Sequence, residues 1–579
     1  MKNIIISIFI LLMSVSESLA QQGNVSGRVT DRNGSAVYGA RVSVKGSQEP
    51  VAYTDRDGRY EIEAVPGNII VVDDEVAGIK EVEVLAGMNA DIAFTYWDEA
   101  IYLGGAGRIK QRRQEVTGAV ATVTSEEIMK SSAHSISNAL FGNALGLTTL
   151  QNGGGEWENG ASFYIRGLKT TSDNNILILV DGIERSIDFI TPDEVESVQV
   201  LKDAPALALY GYRGINGALL VTTKKGKYNS QSVNFRYDKA FRQPVGLPKF
   251  SDSYTYAQAI NEARANDGLS PRYNVYELAA FCDGSLSYYY PNVDWVDEII
   301  KDLGGSSTYN MNVYGGGDRA RYFTMFDLQS DRGFFKGTEH PDGYSSQMKM
   351  SKANIRVNLD VDISPTTKME VKVLGILEEH NRPNTTHNDL ISLLYRVPSA
   401  AFPVHTENGE WGGNSTWSEM NPAAELRATG YTRNSSRTLY SDLKLSQGLN
   451  FITKGLSVSA AIGFDNSVNY RDNYTKGYTY ADYQVTFDAS GTPSAPVIVR
   501  GGEESQLKFG KEITNQSRRF DFTANLNYEF EKGKNSIFAS IIYKNDHPVF
   551  TGQHNTLFRT SISGYAHYGY DNRIYADVA

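Results

Sequence analysis

The chain has 579 residues, too long for one ordinary domain, and carries 67 Asp+Glu against 56 Lys+Arg. That acidic balance argues against a nucleic-acid binder, which needs a basic footprint, so no nucleic-acid partner is expected. One cysteine, Cys282, excludes an intramolecular disulfide, and its thiol is expected to be buried and inert.

Residues 1–20 read as an export signal. Lys2 supplies a basic start, Ile4 to Val15 an apolar core, and Ser18-Leu19-Ala20 a small-x-small cleavage pattern before Gln21. The apolar run is too short to span a bilayer, and no cysteine follows it to take a lipid anchor. No later segment approaches the roughly 20 apolar residues of a membrane helix. Any entry into a membrane must therefore be by β-barrel.

Residues 21–96 read as a β-sandwich. Val25, Gly27 and Val29 alternate up to a turn at Asp31 to Gly34, and Val42 and Val44 resume the alternation. Asp57-Gly58 turns the chain again before Tyr60 and Ile62. Gly27-x-Val29-x-Asp31 and "TDRDGRY" at 54 to 60 resemble the carboxypeptidase-regulatory-like domain. Among the eight histidines there is no His-Glu-x-x-His, so neither a metal site nor peptidase chemistry is expected.

Residues 97–114 form a linker. A short extended patch, Glu99 to Leu103, precedes Gly104-Gly105-Ala106-Gly107 and the basic run Arg108 to Arg113. The basic run reads as a solvated face. The patch suits capture by strand addition to a partner's sheet.

Residues 115–227 form a small α/β unit. A strand over Ala119 to Val123 meets the capping box Thr124-x-x-Glu127, which starts a helix carrying Ile128, Ile136 and Leu140. Strands follow at Leu147 to Leu150, Ala161 to Ile165, Ile176 to Val180 (ending in an Asp181-Gly182 turn) and Val195 to Leu201. Thr191-Pro192-x-Glu194 starts a short helix, and Asp203 is expected to cap another.

From about residue 228 long alternating strands pair as hairpins. "KANIRVNLDVDIS" places Ala353, Ile355, Val357, Leu359, Val361 and Ile363 on one face, and Lys352, Asn354, Arg356, Asn358, Asp360 and Asp362 on the other. Tight turns recur at Pro365-Thr366-Thr367, Thr453-Lys454-Gly455 and Lys532-Gly533-Lys534, with long polar stretches at 379–436 and 471–515 between hairpins. Alternation alone fits a soluble sandwich too, but short turns at one end and long loops at the other are the outer-membrane barrel pattern. Tyr528, Tyr543, Tyr565, Tyr568 and Tyr570 suit an interfacial girdle.

Gly211, Gly214 and Gly217 raise the question of a phosphate loop. They follow a helix and precede a strand, the reverse of the dinucleotide fingerprint, and Gly226-Lys227 lacks the P-loop spacing. The glycines read as turn and close-approach positions, and no catalytic constellation or cofactor is expected.

Leu201-Lys202-Asp203-Ala204, Tyr210-Gly211, Gly214, Asn216-Gly217 and "TTKKG" at 222 to 226 resemble the plug of TonB-dependent outer-membrane transporters of the SusC/RagA type. Ile165-Arg166-Gly167, Val180-Asp181-Gly182, "YPNVDW" at 290 to 295 and "YGGGDRARYF" at 314 to 323 extend the likeness. Asp98, Glu99, Ala100, Ile101, Tyr102 and Leu103 resemble the family's TonB box, with Ala100 and Tyr102 departing from its valine run. The resemblance implies a mainly β protein: sandwich, small α/β plug, and the first part of an antiparallel transmembrane barrel over 228–579. Barrels of this kind have about 22 strands, against roughly ten read here, so a truncated sequence or split gene is expected.

The implied activity is non-enzymatic: energy-coupled import of an oligosaccharide or other large nutrient across the outer membrane of a Gram-negative bacterium. Implied partners are TonB with ExbB–ExbD in the periplasm, a SusD-like surface lipoprotein and outer-membrane lipid. A secreted or surface-bound adhesin is the alternative. A signal-transducing receptor is disfavoured, because few residues separate the sandwich from the box. Arg166 and Arg213 are read as ordinary structural ion pairs in preference to plug-to-barrel contacts.

Overall fold

The computed structural model describes residues 23–46, 51–85, 89–103, 109–151, 160–418, 420–551 and 555–579. The expected export signal, and the stretch Gly104 to Arg108, lie outside the described residues.

Alternation builds the first unit. Strands β1 (Gly23–Thr30), β2 (Arg41–Val44), β3 (Val51–Tyr53), β4 (Arg59–Ala64), β5 (Ile69–Asp74), β6 (Gly78–Glu83) and β7 (Ile92–Ala93) form two sheets, β4-β1-β7 and β3-β2-β5-β6. Each sheet turns one face to a shared core that includes Val25, Val29, Val42, Ile62, Ile70 and Val72.

The described residues on either side of 104–108, namely 96–103 and 109–115, are folded. A 3-10 turn at Tyr96–Asp98 leads into β8 (Ala100–Leu103), which pairs antiparallel with β9 (Ile109–Arg112), and a second 3-10 turn spans Arg113–Glu115. The basic run is not a solvated face. Lys110 pairs with Asp73, Arg112 with Glu115 and Arg113 with Glu99. The acidic partners lie on the sandwich and on the segment itself, so the charges are neutralised locally.

The α/β unit follows with β10 (Val120–Thr124), α1 (Ser125–Ile128), α2 (Ile136–Ala139), β11 (Leu147–Gln151), β12 (Ala161–Ile165), β13 (Leu177–Val180), β14 (Ile183–Glu184), β15 (Val195–Leu201), α3 (Ala204–Leu207) and β16 (Ala218–Thr223). Its sheet runs β10-β15-β16-β13-β14, and β13 lies parallel to β16. Glu127 accepts the N–H of Thr124 at 2.9 Å, as a capping box requires. The expected single helix is two, because Ser135 interrupts it and caps α2 by accepting the Ser137 N–H. Ile128, Ile136 and Leu140 nevertheless enter one core. Asp203 stands at the N-terminus of α3, but its carboxylate accepts the Ala119 N–H at 3.0 Å instead of capping the helix.

The remaining strands are β17 (Ser230–Arg242), β18 (Gly304–Gly316), β19 (Ala320–Arg332), β20 (Lys349–Ser364), β21 (Thr367–Pro383), β22 (Trp411–Gly412), β23 (Gly430–Gly448), β24 (Leu456–Thr475), β25 (Thr479–Gln484), β26 (Val497–Gly502), β27 (Lys508–Lys532), β28 (Asn535–Val549), β29 (Arg559–Tyr570) and β30 (Ile574–Val578). Eleven of them, all but β22, β25 and β26, form one antiparallel sheet in chain order. Turns such as 365–366 and 533–534 close one end. At the other end long loops carry α4 (Ser253–Asn266), α5 (Val275–Asp283), α6 (Trp295–Ile299), α7 (His387–Arg396), α8 (Pro422–Arg427) and the small sheet β22-β25-β26. Cys282, expected to be buried, is exposed on α5.

Burial in this sheet is inverted relative to a soluble sandwich. On β20 the apolar Ile355 is 48% exposed, whereas Asn354 and Asn358 are each 1% exposed and Arg356 3%. Leu439, Leu443, Ile462, Phe464, Phe520 and Ile541 are likewise exposed. The polar face turns inward onto the α/β unit, and the apolar face turns outward. Water would not stabilise an outward apolar face of this extent, but hydrocarbon does. Tyr565 departs from the expected girdle: it is buried on the inner face, where its hydroxyl donates to Asp577 at 2.6 Å.

Candidate functional site

The strand β8 holds Ala100, Ile101, Tyr102 and Leu103, and all four are buried. Ile101 and Leu103 pack with Leu177, Leu179, Leu201 and Leu220 of the α/β unit and with Ile542 and Tyr565 of the large sheet. One edge of β8 is paired with β9, in the register Ala100↔Arg112 to Leu103↔Ile109. The other edge is covered by a side chain. Gln199 on β15 accepts the Tyr102 N–H at 3.0 Å and donates to the Ala100 carbonyl at 2.7 Å. Its amide thus supplies the donor and acceptor a neighbouring strand would offer.

The sandwich grips the same hairpin. Tyr102 donates through its hydroxyl to the Glu75 carboxylate at 2.7 Å, Ala100 N–H to the Val76 carbonyl at 3.1 Å, and Lys80 to Asp98 at 3.1 Å. Glu99 is held by the Arg113 Nε at 2.7 Å, and the same guanidinium donates to the Val120 carbonyl at 2.7 Å and lies 4.4 Å from the Tyr96 ring. Gln111, on β9, donates to the Tyr565 hydroxyl at 2.6 Å, tying the hairpin to the large sheet. The six candidate box residues are therefore brought together and sequestered.

The glycine-rich stretch is a folded turn. Gly211 has φ 55°, within a 3-10 segment Ala208–Gly214, and Gly214 lies against the Leu207 carbonyl. Gly217 has φ 99°, and a Cβ there would sit 2.6 Å from Ile165 Cδ1. Asn216 donates to the carbonyls of Asp173 and Asn175 at 3.0 and 3.2 Å, pinning the neighbouring loop. Tyr210 packs partly buried beside the β8 cluster, and the Lys202 stem packs on Gly146. Arg166 and Gly167 both adopt positive φ after β12, and Arg166 lies 3.8 Å from Asp203. Asp181 and Gly182, φ 52° and 93°, make the two-residue turn between β13 and β14. Asp181 then accepts from Thr223 Oγ1 at 2.7 Å and pairs with Lys372 of β21 at 2.8 Å.

Just beyond that turn lie residues that motif reading passed over. Arg185 is buried between two strands of the large sheet. Its Nη1 donates to Asp442 on β23 at 2.8 Å, its Nε donates to Asp465 on β24 at 3.0 Å, and its guanidinium lies 4.6 Å from the Tyr440 ring. Glu184 gathers Arg213, Arg519 at 2.9 Å and Arg559 at 3.4 Å. Burial opposes ionisation of Glu184, but the Arg213 and Arg519 guanidiniums outweigh it and hold the carboxyl down at about 2. Arg213 is thus one arm of a plug-to-wall contact through Glu184 and Asp546. Glu194 pairs with Arg356, and Asp193 with Arg236 at 2.6 Å. A charged dipeptide one residue after an apolar strand and tight turn was the one signal for Glu184 and Arg185. For Gln199, in "VESVQVL", alternation gave none.

On the loop side, a cleft of about 470 Å³ is lined by Phe250, Tyr256, Tyr395 and Trp417 with Asp252 and Asn292.

Residues 112–218 match the TonB-dependent Receptor Plug Domain family. The chain is 27% identical over 528 residues to TonB-dependent receptor P3 of Formosa agariphila, covering 84% of this chain and 48% of that one. It is 29% identical over 334 residues to TonB-dependent receptor SusC of Bacteroides thetaiotaomicron, covering 55% and 31%. The solved RagAB peptide importer in its open-open state shares the fold, with a TM-score of 0.57 at 17% identity over 81% of this chain and 54% of that one. A plug seated on the polar face of an antiparallel sheet with an apolar outer face defines a TonB-dependent receptor. Within that class the chain resembles receptors of the SusC/RagA type. It spans less than half the length of the curated relatives named here.

Proposed function

We propose that the chain serves energy-coupled import of a large nutrient across the outer membrane, its plug occluding a barrel to which 228–579 contributes. The observation that carries this reading is the placement of β8. A short segment with strand geometry lies buried at the junction of sandwich, plug and barrel wall, so exposing it requires breaking named contacts. Once released, its backbone can add as a strand to the sheet of a periplasmic TonB protein, which with ExbB–ExbD would deliver work from the inner-membrane proton gradient. Pulling on β8 would then act on the plug through β9 and Arg113. No covalent chemistry is required of the chain.

The cargo we favour is an oligosaccharide, delivered with a SusD-like lipoprotein. The cleft of Phe250, Tyr256, Tyr395 and Trp417 supplies ring faces for sugar C–H groups beside hydrogen-bonding Asp252 and Asn292. A peptide is the second reading, since the RagAB neighbours are described as a peptide importer and transporter. Deleting residues 98–103 in the full-length protein tests the mechanism. Uptake should be abolished while cargo binding at the surface is retained; uptake that persists would refute energy coupling through β8, and an adhesin would keep its binding regardless of the proton gradient.

A further inference from the structure

The outward wall carries a predominantly positive row at one end. Cross-strand register places Arg332 opposite Lys349, Lys349 opposite Asn381, Asn381 opposite Arg433, Arg433 opposite Asp472 and Asp472 opposite Lys511. This single row crosses six strands and holds four cations and one carboxylate. Period-two alternation puts it on the same face as the exposed Leu328, Ile355, Leu439 and Ile513, so these side chains point away from the plug. A bulge in the β24–β27 ladder between Asn469 and Tyr470 changes parity on β27, which brings Lys511 as well as Ile513 outward. Nearer the apolar band, Arg437 and Arg518 follow Leu439 and Phe520 by one outward step each.

Neutralisation is incomplete. Arg433 lies 3.4 Å from Glu379 and Lys511 lies 3.6 Å from Asp472. Among the described residues Arg332, Lys349, Arg437 and Arg518 have no carboxylate within ion-pair distance. Tyr470 stands amid the row, with the Arg437 guanidinium 5.8 Å and the Lys511 ammonium 5.6 Å from its ring. The turn end of the same face is different. There Leu445, Tyr528, Phe530, Tyr568 and Tyr570 continue the apolar and aromatic surface, with Lys532 at the rim.

We infer that this row is a binding site for phosphate-bearing lipid headgroups of the leaflet on the loop side. The inference rests on the membrane reading above. Charge complementarity and continuity with the apolar band favour a lipid over a free anion: acyl chains would lie along Leu439, Ile462 and Phe520 while the phosphate meets the cations. Basic side chains near an anionic bilayer surface each contribute modestly, so the site works as a row.

The test uses protein extracted from outer membranes in mild detergent. Phosphatidylglycerol or phosphatidylcholine is added in mixed micelles, and retained lipid is counted by native mass spectrometry. The wild type should retain phosphatidylglycerol preferentially, less so as salt rises, and 10 mM-scale inorganic phosphate (about that concentration) should not displace it. The triple variant Arg332→Gln, Lys349→Gln, Arg433→Gln should bind on the order of 100-fold more weakly, and Lys532→Gln should bind as wild type. If the triple variant loses its protease-resistant core, Lys511→Gln alone is measured, with about a 5-fold loss expected. Equal retention by the variants, displacement by inorganic phosphate, or a lipid-free dimer sealing the row would overturn the inference. A protein that does not fractionate with the outer membrane would overturn the membrane reading and the site together, whereas correct fractionation without lipid preference overturns the site alone.

Discussion

The side chain of Gln199 accepts the Tyr102 N–H at 3.0 Å, closing the one edge of β8 that β9 does not pair. An open edge is a template for pairing, and a buried edge without partners costs free energy, so this amide both satisfies and shields the strand.

Gln199→Leu should therefore loosen β8 without disturbing the β15 ladder. It strands one buried N–H and one C=O, a cost of about 1–3 kcal/mol each at most. Hydrogen exchange at Tyr102 should accelerate at least about 10-fold, and Leu103→Cys in a Cys282→Ser background should label faster. Unchanged exchange would mean that the β9 pairing and the sandwich contacts hold the strand without Gln199.

Arg185 is a deeply buried tie between plug and wall. Arg185→Met leaves Asp442 and Asp465 facing each other without their cation, and the expected destabilisation of the docked plug is about 3–5 kcal/mol. Thermal unfolding followed by the near-ultraviolet signal should shift down. The double change Asp442→Asn with Asp465→Asn in the Arg185→Met background should recover part of the loss.

Acid should act through Glu184. Its folded value, about 2, lies below its ordinary value of 4.5. Its stabilisation is therefore complete above the ordinary value and is lost as pH falls through the folded value. Urea unfolding between pH 5 and pH 2 should show a decline of on the order of 2–3 kcal/mol from this group, and Glu184→Gln should flatten that part of the profile.

Gly217 should not tolerate a side chain. Gly217→Ala imposes positive φ on alanine and drives its Cβ into Ile165, for a loss of about 1–3 kcal/mol. Pairing it with Ile165→Val should relieve only the contact part, which a double-mutant cycle measures.

Much of the fold was legible because period-two alternation is a strong signal where one face is apolar. Val195 to Leu201 reads as the strand it forms, and the tight turn at Lys532-Gly533-Lys534 falls where β27 meets β28. The signal fails where both faces are polar. The stretches 379–436 and 471–515 read as loops, yet β21 runs to Pro383, β23 starts at Gly430, β24 runs to Thr475 and β27 starts at Lys508. There the outward residues are the cations and tyrosines of the wall and the inward ones are hydrophilic, so no contrast remains to be read. For the candidate segment, strand formation was legible but burial was not. Acidic and apolar residues at 98–103 marked the segment, while its burial depends on Gln199, Glu75 and Tyr565, which are remote in sequence and ordinary in pattern.

The grip of Glu75 and Val76 on β8 has a thermodynamic corollary. The sandwich is itself seated on the wall, through Tyr53 stacked on Tyr228 at 4.8 Å and Lys45 paired with Glu531 at 3.0 Å. Docking of the sandwich and burial of β8 thus share contacts, and linkage makes their influence mutual. Whatever lifts the sandwich from the rim raises the affinity of β8 for a capturing sheet. On the proposed mechanism, capture would in turn weaken the seat of the sandwich by the same factor, which would make the N-terminal unit a reciprocal reporter of engagement.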